Sequence, residues 1–423
     1  MTTDDLTVAA TGAPRRLGRW GALYRTPGFA ALQWRCWLWH VFRWGGFFAM
    51  NYLILARTGS PLVNQLAGAV FFLPMLVGGF LAGAVSDKFD RRRLLLITWA
   101  CLIPATIGMA GLEWTVGVGL WASFGYMTLL GVGALIEGVA QRPLIYELVG
   151  PGLSGPALVS DSIAQAAAGI VGGVLGGVLI DTIGISAFFA CLAVILSLAT
   201  VAWWRVPADY GRTTAVPDSV TLAEQIGASY ALLRHNSLIV GLLAVTVVMN
   251  VCYFTFLPLI PAIAHRFGSG ALIAGLLGAA AGIGQVGAGI VLGARPIGRA
   301  QVFFTLGSVV ALLGLVISAA APWLALALLG LLFAGVGQAG FGAMQSLLAI
   351  EAVPAAERGI ALGLVSMAVG SMPVGLVLVG LASASLGPNA AVFCSAALGL
   401  AAVAVVVGCC PSLIRVSAAR TVD

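Results

Sequence analysis

The sequence predicts an all-α membrane protein with twelve transmembrane helices in two six-helix bundles. Three observations lead to this fold class: the composition, the spacing of the apolar runs and the placement of the charges. Of the 423 residues, 60% are hydrophobic and only 9% are charged, against roughly 25% charged residues in a soluble domain. A soluble domain of this composition would expose large apolar patches to water, whereas a bilayer solvates them.

Twelve apolar runs are long enough to cross a bilayer, which requires about 20 residues each. The first six lie at roughly 32–56, 62–85, 94–113, 119–141, 157–180 and 185–204. The second six lie at roughly 238–262, 271–293, 301–320, 323–346, 360–384 and 389–410. The only long polar segment separates the sixth run from the seventh. The sequence therefore predicts a tail at 1–31, a bundle at 32–204, a linker at 205–237, a bundle at 238–411 and a tail at 412–423.

The basic residues orient the chain. They collect in both tails, in the linker and in every second loop, whereas the opposite loops carry only Arg57 and Arg266. Loops rich in Lys and Arg remain in the cytoplasm. We therefore expect both termini to be cytoplasmic in a multi-pass protein of the bacterial cytoplasmic (inner) membrane.

The two halves of the sequence also repeat. Gly172, Gly177 and Gly184 recur as Gly375, Gly380 and Gly387, each 203 residues later. Small residues let membrane helices approach closely, so these glycines are predicted helix-packing positions, together with Gly176 and Pro373. Duplicated bundles place a substrate site at the midplane junction between them.

A glycine, an acid and a basic cluster follow the second run: Gly83, Asp87, Lys88, Arg91, Arg92 and Arg93. Asp87 near a helix end can accept a hydrogen bond from Arg91 and face the N-terminus of a neighbouring helix. The simpler interpretation is an ordinary basic cytoplasmic loop.

This segment resembles the loop 2–3 signature of the major facilitator superfamily. More narrowly, it is similar to the group that contains enterobactin-type siderophore exporters and macrolide efflux pumps. Segments at 58–60, 72–74, 142–149, 256–258 and 358–359 match the same group. The resemblance implies the major facilitator fold and an alternating-access carrier, in which the Asp87–Arg91 region acts as a conformational gate that packs against span 11.

Ionisable residues inside the apolar runs are the candidate coupling residues, since such groups are costly in a membrane unless paired or wetted. They are Arg35, His40, Arg43, Glu137 and Asp161. We expect Arg43 to pair with Glu137, because a carboxylate in a partly dry cavity can take up and release a proton. Arg35 and Asp161 lie near the predicted interface, where their charges can instead extend to water.

The proposed spans of the second half carry no charge, and this composition suits a neutral or amphipathic substrate. Gln338 and Gln345 are seven residues apart and share a helix face. Individually, aromatic residues on such helices more often serve packing than binding. The full set of substrate-cavity candidates is Tyr52, Trp121, Tyr126, Asn250, Tyr253, Gln338, Phe341 and Gln345.

The sequence predicts secondary transport. It contains no phosphate loop of a primary pump and no HExxH or GxSxG motif of an enzyme. The seven cysteines form no ligand pattern, and we expect no metal or cofactor and no nucleic-acid partner. The family resemblance implies a monomer. The leading interpretation is proton-coupled efflux of a small hydrophobic or amphipathic compound, such as a drug, siderophore or metabolite. Nutrient uptake by a symporter of the same fold is the alternative, ahead of a receptor or membrane enzyme.

Overall fold

The structure, a computed structural model, is helical throughout the residues that it describes: 16–86, 91–150, 153–206, 222–268, 270–293, 299–354 and 357–414. The N half contains α1 (Arg16–Arg25), α2 (Phe29–Thr58), α3 (Pro61–Ser86), α4 (Arg91–Thr115), α5 (Leu120–Val149), α6 (Ser154–Ile183) and α7 (Ile185–Trp203). The C half contains α8 (Leu222–His235), α9 (Ser237–Val248), α10 (Ile260–Ala264), α11 (Ala271–Gly293), α12 (Ala300–Ala320), α13 (Leu324–Glu351), α14 (Arg358–Val369), α15 (Met372–Leu386) and α16 (Pro388–Cys409).

The helices confirm a multi-pass membrane protein. In the described ranges, 10 helical segments are long and apolar enough to cross a membrane. The two other long helices are α2, which carries Arg35, His40 and Arg43, and α3, whose described apolar stretch covers Pro61–Leu76.

The turns between helices define two faces of the molecule. Seven glycines of the described residues have positive φ, and five of them lie in turns on one side, which we call the tight-turn face: Gly59, Gly117, Gly184, Gly268 and Gly387. The other two, Gly28 and Gly150, lie in turns on the opposite side. The opposite side carries arginines at the helix ends, and we call it the basic face: Arg25, Arg91, Arg92, Arg93, Arg205, Arg234, Arg299 and Arg358. Successive long helices therefore run in alternating directions between the two faces.

Each half has its own hydrophobic core. Buried residues between Leu23 and Val206 form one cluster, which Ala271 of the C half joins, and other buried residues between Leu232 and Leu413 form another. A small third cluster, made of Ala69, Met372 and Leu376, lies where α3 meets α15. The halves are thus separately packed bodies that meet along a few helices.

The repeated glycines have matching positions in the two halves. Gly172 on α6 approaches the backbone of Gly45, and Gly375 on α15 approaches the backbone of Val251, so that a Cβ on either glycine would collide. Five residues further along, Gly177 contacts α11 of the other half, and Gly380 contacts α3 of the other half. Gly184 and Gly387 also share one backbone conformation, at φ 86°, ψ 161° and φ 82°, ψ 160°. The two halves therefore use the repeat in the same way.

Two of the predicted helices are interrupted. The run predicted at 238–262 is α9, a π turn at Met249–Tyr253, a 3-10 turn at Phe254–Leu259 and then α10. Pro258 explains the break, because proline lacks a backbone donor and its ring crowds the carbonyl four residues earlier. The run predicted at 360–384 is likewise divided at Gly370 and Ser371, just before Pro373.

The longest difference from the predicted boundaries is in α5, which ends at Val149 rather than near 141. Arg142 and Glu147, which lie beyond the predicted end of this run, are inside the helix. The apolar face continues through Leu144, Ile145 and Leu148, all buried, and this packing extends the helix toward the basic face.

Candidate functional site

Three helices of the N half bring ionisable and amide side chains together in a buried polar cluster. We define it as Arg35, His40 and Arg43 from α2, Glu137 and Gln141 from α5, and Asp161 from α6. Glu137 and Gln141 are four residues apart and so share one face of α5. The cluster extends from the middle of α2 toward the basic face.

Arg35 pairs with Glu137, and both side chains are almost completely buried. The Arg35 guanidinium also lies 5.5 Å from the ring centroid of Trp99 and 5.2 Å from that of Trp203. Aromatic faces stabilise a desolvated cation by about 2 kcal/mol or more. Arg35 is therefore held by an ion pair and two indoles.

This arrangement corrects two predictions. Glu137 was expected to pair with Arg43, but its partner is Arg35, which is 0% exposed and does not extend to water. The physical reason is the indole pair, which holds the Arg35 guanidinium next to α5 and away from the membrane surface. Trp99 and Trp203 are visible in the sequence, but their spacing does not predict that both rings contact Arg35.

Asp161 is also drawn into the cluster. Its Oδ1 atom lies 3.2 Å from His40 Nε2 and accepts a hydrogen bond from Gln141 Nε2. Its side chain is only 18% exposed, so Asp161 is a member of the cluster and not a surface acid. Gln141 was missed by sequence reasoning, since an isolated glutamine near a predicted helix end carries no distinguishing pattern.

Arg43 lies apart from these pairs. Among the described residues, its buried Nε and Nη2 atoms have no hydrogen-bond partner. Its guanidinium carbon lies 4.8 Å from the ring centroid of Trp44. The cluster thus combines two engaged carboxylates with one guanidinium that neither of them binds.

The C half contributes a neutral polar seam. Tyr253 donates to Gln338 at 3.2 Å, and Gln345 donates to the Thr246 hydroxyl at 3.0 Å. Asn250, in the π turn, donates to the carbonyl of Thr246 near the end of α9, at 2.9 Å. The two glutamines therefore face the same neighbouring segment, as their spacing indicated.

The aromatic cavity candidates divide into different environments. Trp121 is 88% exposed near the tight-turn face, as expected for a residue of an interfacial aromatic belt and not of a cavity. Tyr126 is buried in the N-half core, where its hydroxyl lies 3.1 Å from Thr106 Oγ1. Phe341 stacks on Phe304 in the C-half core. Tyr52 stacks on Phe48, which packs against the C half.

The gate motif is only partly described. Asp87 and Lys88 lie outside the described residues, and Gly83 is within α3. Arg91 pairs with Glu147 at 2.5 Å, and Arg92 donates to the Val206 carbonyl at 3.2 Å and lies 5.1 Å from the Trp203 ring. The basic cluster thus links the basic-face ends of α4, α5 and α7, and Glu147 is a partner that the sequence did not identify.

On the tight-turn face, N-half side chains bind C-half main chain. The Asp181 carboxylate accepts hydrogen bonds from the backbone N–H groups of Ala271 and Leu272, both at 2.9 Å. Asn64 donates to the Pro258 carbonyl at 2.6 Å, and Gln65 donates to the Thr255 carbonyl at 2.7 Å. We call Asp181, Asn64 and Gln65 the tight-turn latch.

Within the described ranges, no group of three or more His, Cys, Asp or Glu residues is placed to hold a metal ion. The arrangement instead offers paired charges, amides and aromatic rings between helical halves, which is suited to binding and moving a solute.

Comparison with known proteins agrees with this architecture. The Major Facilitator Superfamily profile matches residues 36–375, which is most of the chain, while no curated protein sequence gives a significant match. A POT family transporter solved in complex with 5-aminolevulinic acid superposes with a TM-score of 0.71 at 10% identity, covering 91% of this chain and 96% of the other. A nucleoside transporter superposes with a TM-score of 0.67 at 13% identity, covering 91% of this chain and 99% of the other. A D-xylose–proton symporter superposes with a TM-score of 0.64 at 19% identity, covering 89% of this chain and 95% of the other.

The chain belongs to the major facilitator superfamily. It is a membrane transporter and not an enzyme, which confirms the class of protein that the sequence predicted. The structural matches, at these low identities, establish the fold alone.

Proposed function

We propose that the chain spans the membrane twelve times, with both termini and the basic face in the cytoplasm. The first two spans are then α2 and α3, and the two interrupted segments count as one span each. The arginines of the basic face support this orientation, because cytoplasmic loops retain basic residues. The proposed layout is an N-terminal bundle at 32–204 and a C-terminal bundle at 238–411, joined by the linker at 205–237, in a monomer of the bacterial inner membrane.

The protein works by alternating access in this proposal. The halves contact each other through α6 with α11 and through α3 with α15, and the latch residues close the tight-turn face. We infer that this arrangement shields the binding site from the side opposite the cytoplasm. Transport then requires the latch to open while Asp87 and the basic cluster close the cytoplasmic side.

The coupling ion in this proposal is the proton, and the observation that carries it is the buried polar cluster. Glu137, Asp161 and His40 lie together inside the N half, within hydrogen-bonding reach of charged or amide partners. Adding or removing one proton at Glu137, Asp161 or His40 changes the net charge of the pair to which that residue belongs. Because unpaired charges are expensive inside a membrane protein, protonation can bias the balance between the two conformations.

The proposed cargo is a small hydrophobic or amphipathic compound, and the leading direction is efflux. The seam of Tyr253, Gln338 and Gln345 offers hydrogen bonds without charge, and the aromatic rings offer apolar surface. Similarity of the loop 2–3 segment to siderophore exporters and macrolide efflux pumps supports a drug, siderophore or secreted metabolite as the cargo.

The first test is proton movement in everted membrane vesicles that contain the protein. A dye that reports the pH difference would be followed while siderophores, macrolides and cationic dyes are added. Efflux by antiport predicts that a substrate collapses the gradient in the wild type and in Glu113→Gln, whose pair with Arg57 lies at the tight-turn face. The collapse should be lost in Glu137→Gln and in the gate variant Asp87→Asn. No response to any compound from folded protein would reject efflux of these classes.

Uptake by symport is the second candidate, and Arg43 is the observation that favours it. An anion bound to Arg43 and a proton added to Glu137, Asp161 or His40 have opposite charges, so each favours binding of the other. A compound held in this way would move with the proton and not against it. In right-side-out vesicles, symport predicts acidification of the lumen when the compound is added outside.

A further inference from the structure

Arg43 is a buried cation at the middle of the membrane-spanning part of α2. It is the fifteenth of the 30 residues of the helix, about 12 Å along the axis from Arg35. Nε and Nη2 are buried and, within the described residues, without a hydrogen-bond partner, although the side chain keeps some accessible surface. Glu137 and Asp161 attract Arg43 only at longer range, because they bond other groups. A guanidinium without a direct partner at this depth is costly, so its free donors can accept an anion.

The carboxylates of the N-half helices are engaged with other groups. Glu137 binds Arg35, and Asp161 binds His40 and Gln141. The remaining described acids of these helices pair elsewhere: Glu113 with Arg57, Glu147 with Arg91 and Asp181 with the start of α11. The second oxygen of Glu137 is itself buried and unpaired among the described residues, so it does not serve Arg43.

The C half has no carboxylate to offer at this depth in any conformation. The sequence from 237 to 350 contains neither Asp nor Glu. Of the acids that follow, Glu351 and Glu357 lie at the basic-face ends of their helices, and Asp423 is the last residue of the sequence, beyond the predicted spans. Closing the halves against each other therefore cannot neutralise Arg43 with a protein side chain from the facing bundle.

An aromatic strip continues from Arg43 toward the tight-turn face. Trp44, Phe48 and Tyr52 follow at intervals of four residues, so they share one side of α2. The Phe48 and Tyr52 rings are stacked, with centroids 6.4 Å apart at 26°, and Phe48 packs against the C-half core. All three rings pack against the N-half core, and Phe48 also brings the strip to the boundary with the C half, while Trp44 lies beside the Arg43 guanidinium.

We propose that Arg43 binds the carboxylate of an aromatic, amphipathic compound whose apolar body lies along Trp44, Phe48 and Tyr52. A guanidinium presents parallel N–H donors that match the two oxygens of a carboxylate, and the aromatic strip matches a planar apolar body. The inference rests on the proposed function in one respect only, that the cargo binds between the two halves.

Equilibrium binding to the purified protein tests the site without any proton gradient. The probes are benzoate and phenylacetate, with the neutral amides benzamide and phenylacetamide as controls of the same shape. Calorimetry should detect the carboxylates binding to the wild type and to Arg57→Gln, a control arginine on the same helix. Arg43→Gln should weaken carboxylate binding by about tenfold or more, as expected for a lost charged hydrogen bond. The amides should bind no better to the wild type than to Arg43→Gln.

Thermal stability distinguishes a ligand-binding arginine from a structural one. Arg43→Met removes an unpaired buried charge, so the midpoint of thermal unfolding should stay unchanged or rise. A structural role predicts a clear fall in both variants. The proposal is overturned if benzamide binds as tightly as benzoate, if Arg43→Gln keeps the carboxylate affinity, or if neither carboxylate binds the wild type. Lost proton movement with intact Arg43-dependent binding would reject the coupling proposal and leave this site standing.

Discussion

At the scale of single residues, the N half separates its buried charges by how completely each is neutralised. Arg35 has an ion pair and two indole faces, and Asp161 has an imidazole and an amide. Arg43 lies against the ring of Trp44, and among the described residues its buried Nε and Nη2 atoms have no hydrogen-bond partner. Breaking a buried pair costs far more than breaking an exposed one, because the remaining charge stays desolvated. The three groups should therefore respond differently to substitution.

Glu137→Gln should destabilise the protein strongly, because it leaves the Arg35 guanidinium buried without a counterion. The expected loss is about 3–5 kcal/mol of unfolding free energy. The matched control is Glu113→Gln, whose partner Arg57 is half-exposed although the Glu113 side chain itself is only 10% exposed. The glutamine carbonyl can still accept the hydrogen bond from the Val118 N–H group, so the expected loss is about 0–1 kcal/mol. Unfolding of the purified proteins in detergent measures both. Equal losses in the two variants would contradict the assignment of Glu137 to a buried pair.

The same scale shows what the sequence could predict. Arg35, His40, Glu137 and Asp161 were identified because charge is rare in apolar runs, and that signal needs no structure. Their pairing could not be predicted, since it depends on how α4 and α7 place Trp99 and Trp203 around Arg35. Tyr126 and Trp121 were selected as aromatic residues on predicted cavity-lining spans, and Tyr126 is buried in a core while Trp121 faces outward.

At the scale of helices, the contact between the halves depends on close backbone approach and on a cap that crosses between them. Gly173 and Gly275 meet so closely that a Cβ on Gly275 would overlap the Gly173 carbonyl. Asp181 caps α11 although it belongs to α6. Carboxylates at helix N-termini are favoured because the free N–H groups and the helix dipole attract negative charge.

Asp181→Ala should shift the conformational balance toward an open tight-turn face. A lost cap costs about 1–2 kcal/mol, which is roughly a 5- to 30-fold change in the equilibrium. The measurement is the rate at which a membrane-impermeant maleimide labels Ala69→Cys in a cysteine-free background, since Ala69 is buried between α3 and α15. Thr182→Ala is the control, because the Thr182 hydroxyl donates only within its own helix. Unchanged labelling in the Asp181 variant would argue against the latch.

Gly275→Ala should impair transport without preventing insertion, since the added methyl group keeps α6 and α11 apart. Gly287 on the same helix has open space at its Cβ position, so Gly287→Ala should behave like the wild type. Initial transport rates at matched expression compare the two. Normal transport by Gly275→Ala would mean that this close approach is not required during the cycle.

At the scale of the whole molecule, alternation of tight and basic turns produces a polarised body. Most of the fold was predictable here, because span positions follow from hydropathy and the repeat follows from glycine spacing. The interruptions in the seventh and eleventh runs could not be predicted, although Pro258 and Pro373 lie at or next to them. Proline in a membrane helix is often accommodated by neighbours, so a proline alone does not show whether the helix divides.

Reporter fusions test the proposed orientation. Green fluorescent protein attached after the last residue should fluoresce, because it folds in the cytoplasm, and alkaline phosphatase there should be inactive. Alkaline phosphatase inserted at Gly117 or Gly184, both on the tight-turn face, should be active. The reverse pattern would invert the molecule and place the basic face outside.

The tight-turn latch has a consequence for how the protein tolerates genetic variation. All three latch side chains belong to the N half, whereas the C half supplies only peptide groups, at Ala271, Leu272, Thr255 and Pro258. Peptide groups are the same whatever side chain the residue carries. In a library of random substitutions, the polar side chains whose loss disables this latch should therefore map to the first half of the gene, whereas the C-half partner positions should tolerate changes of side chain that keep the peptide groups in place.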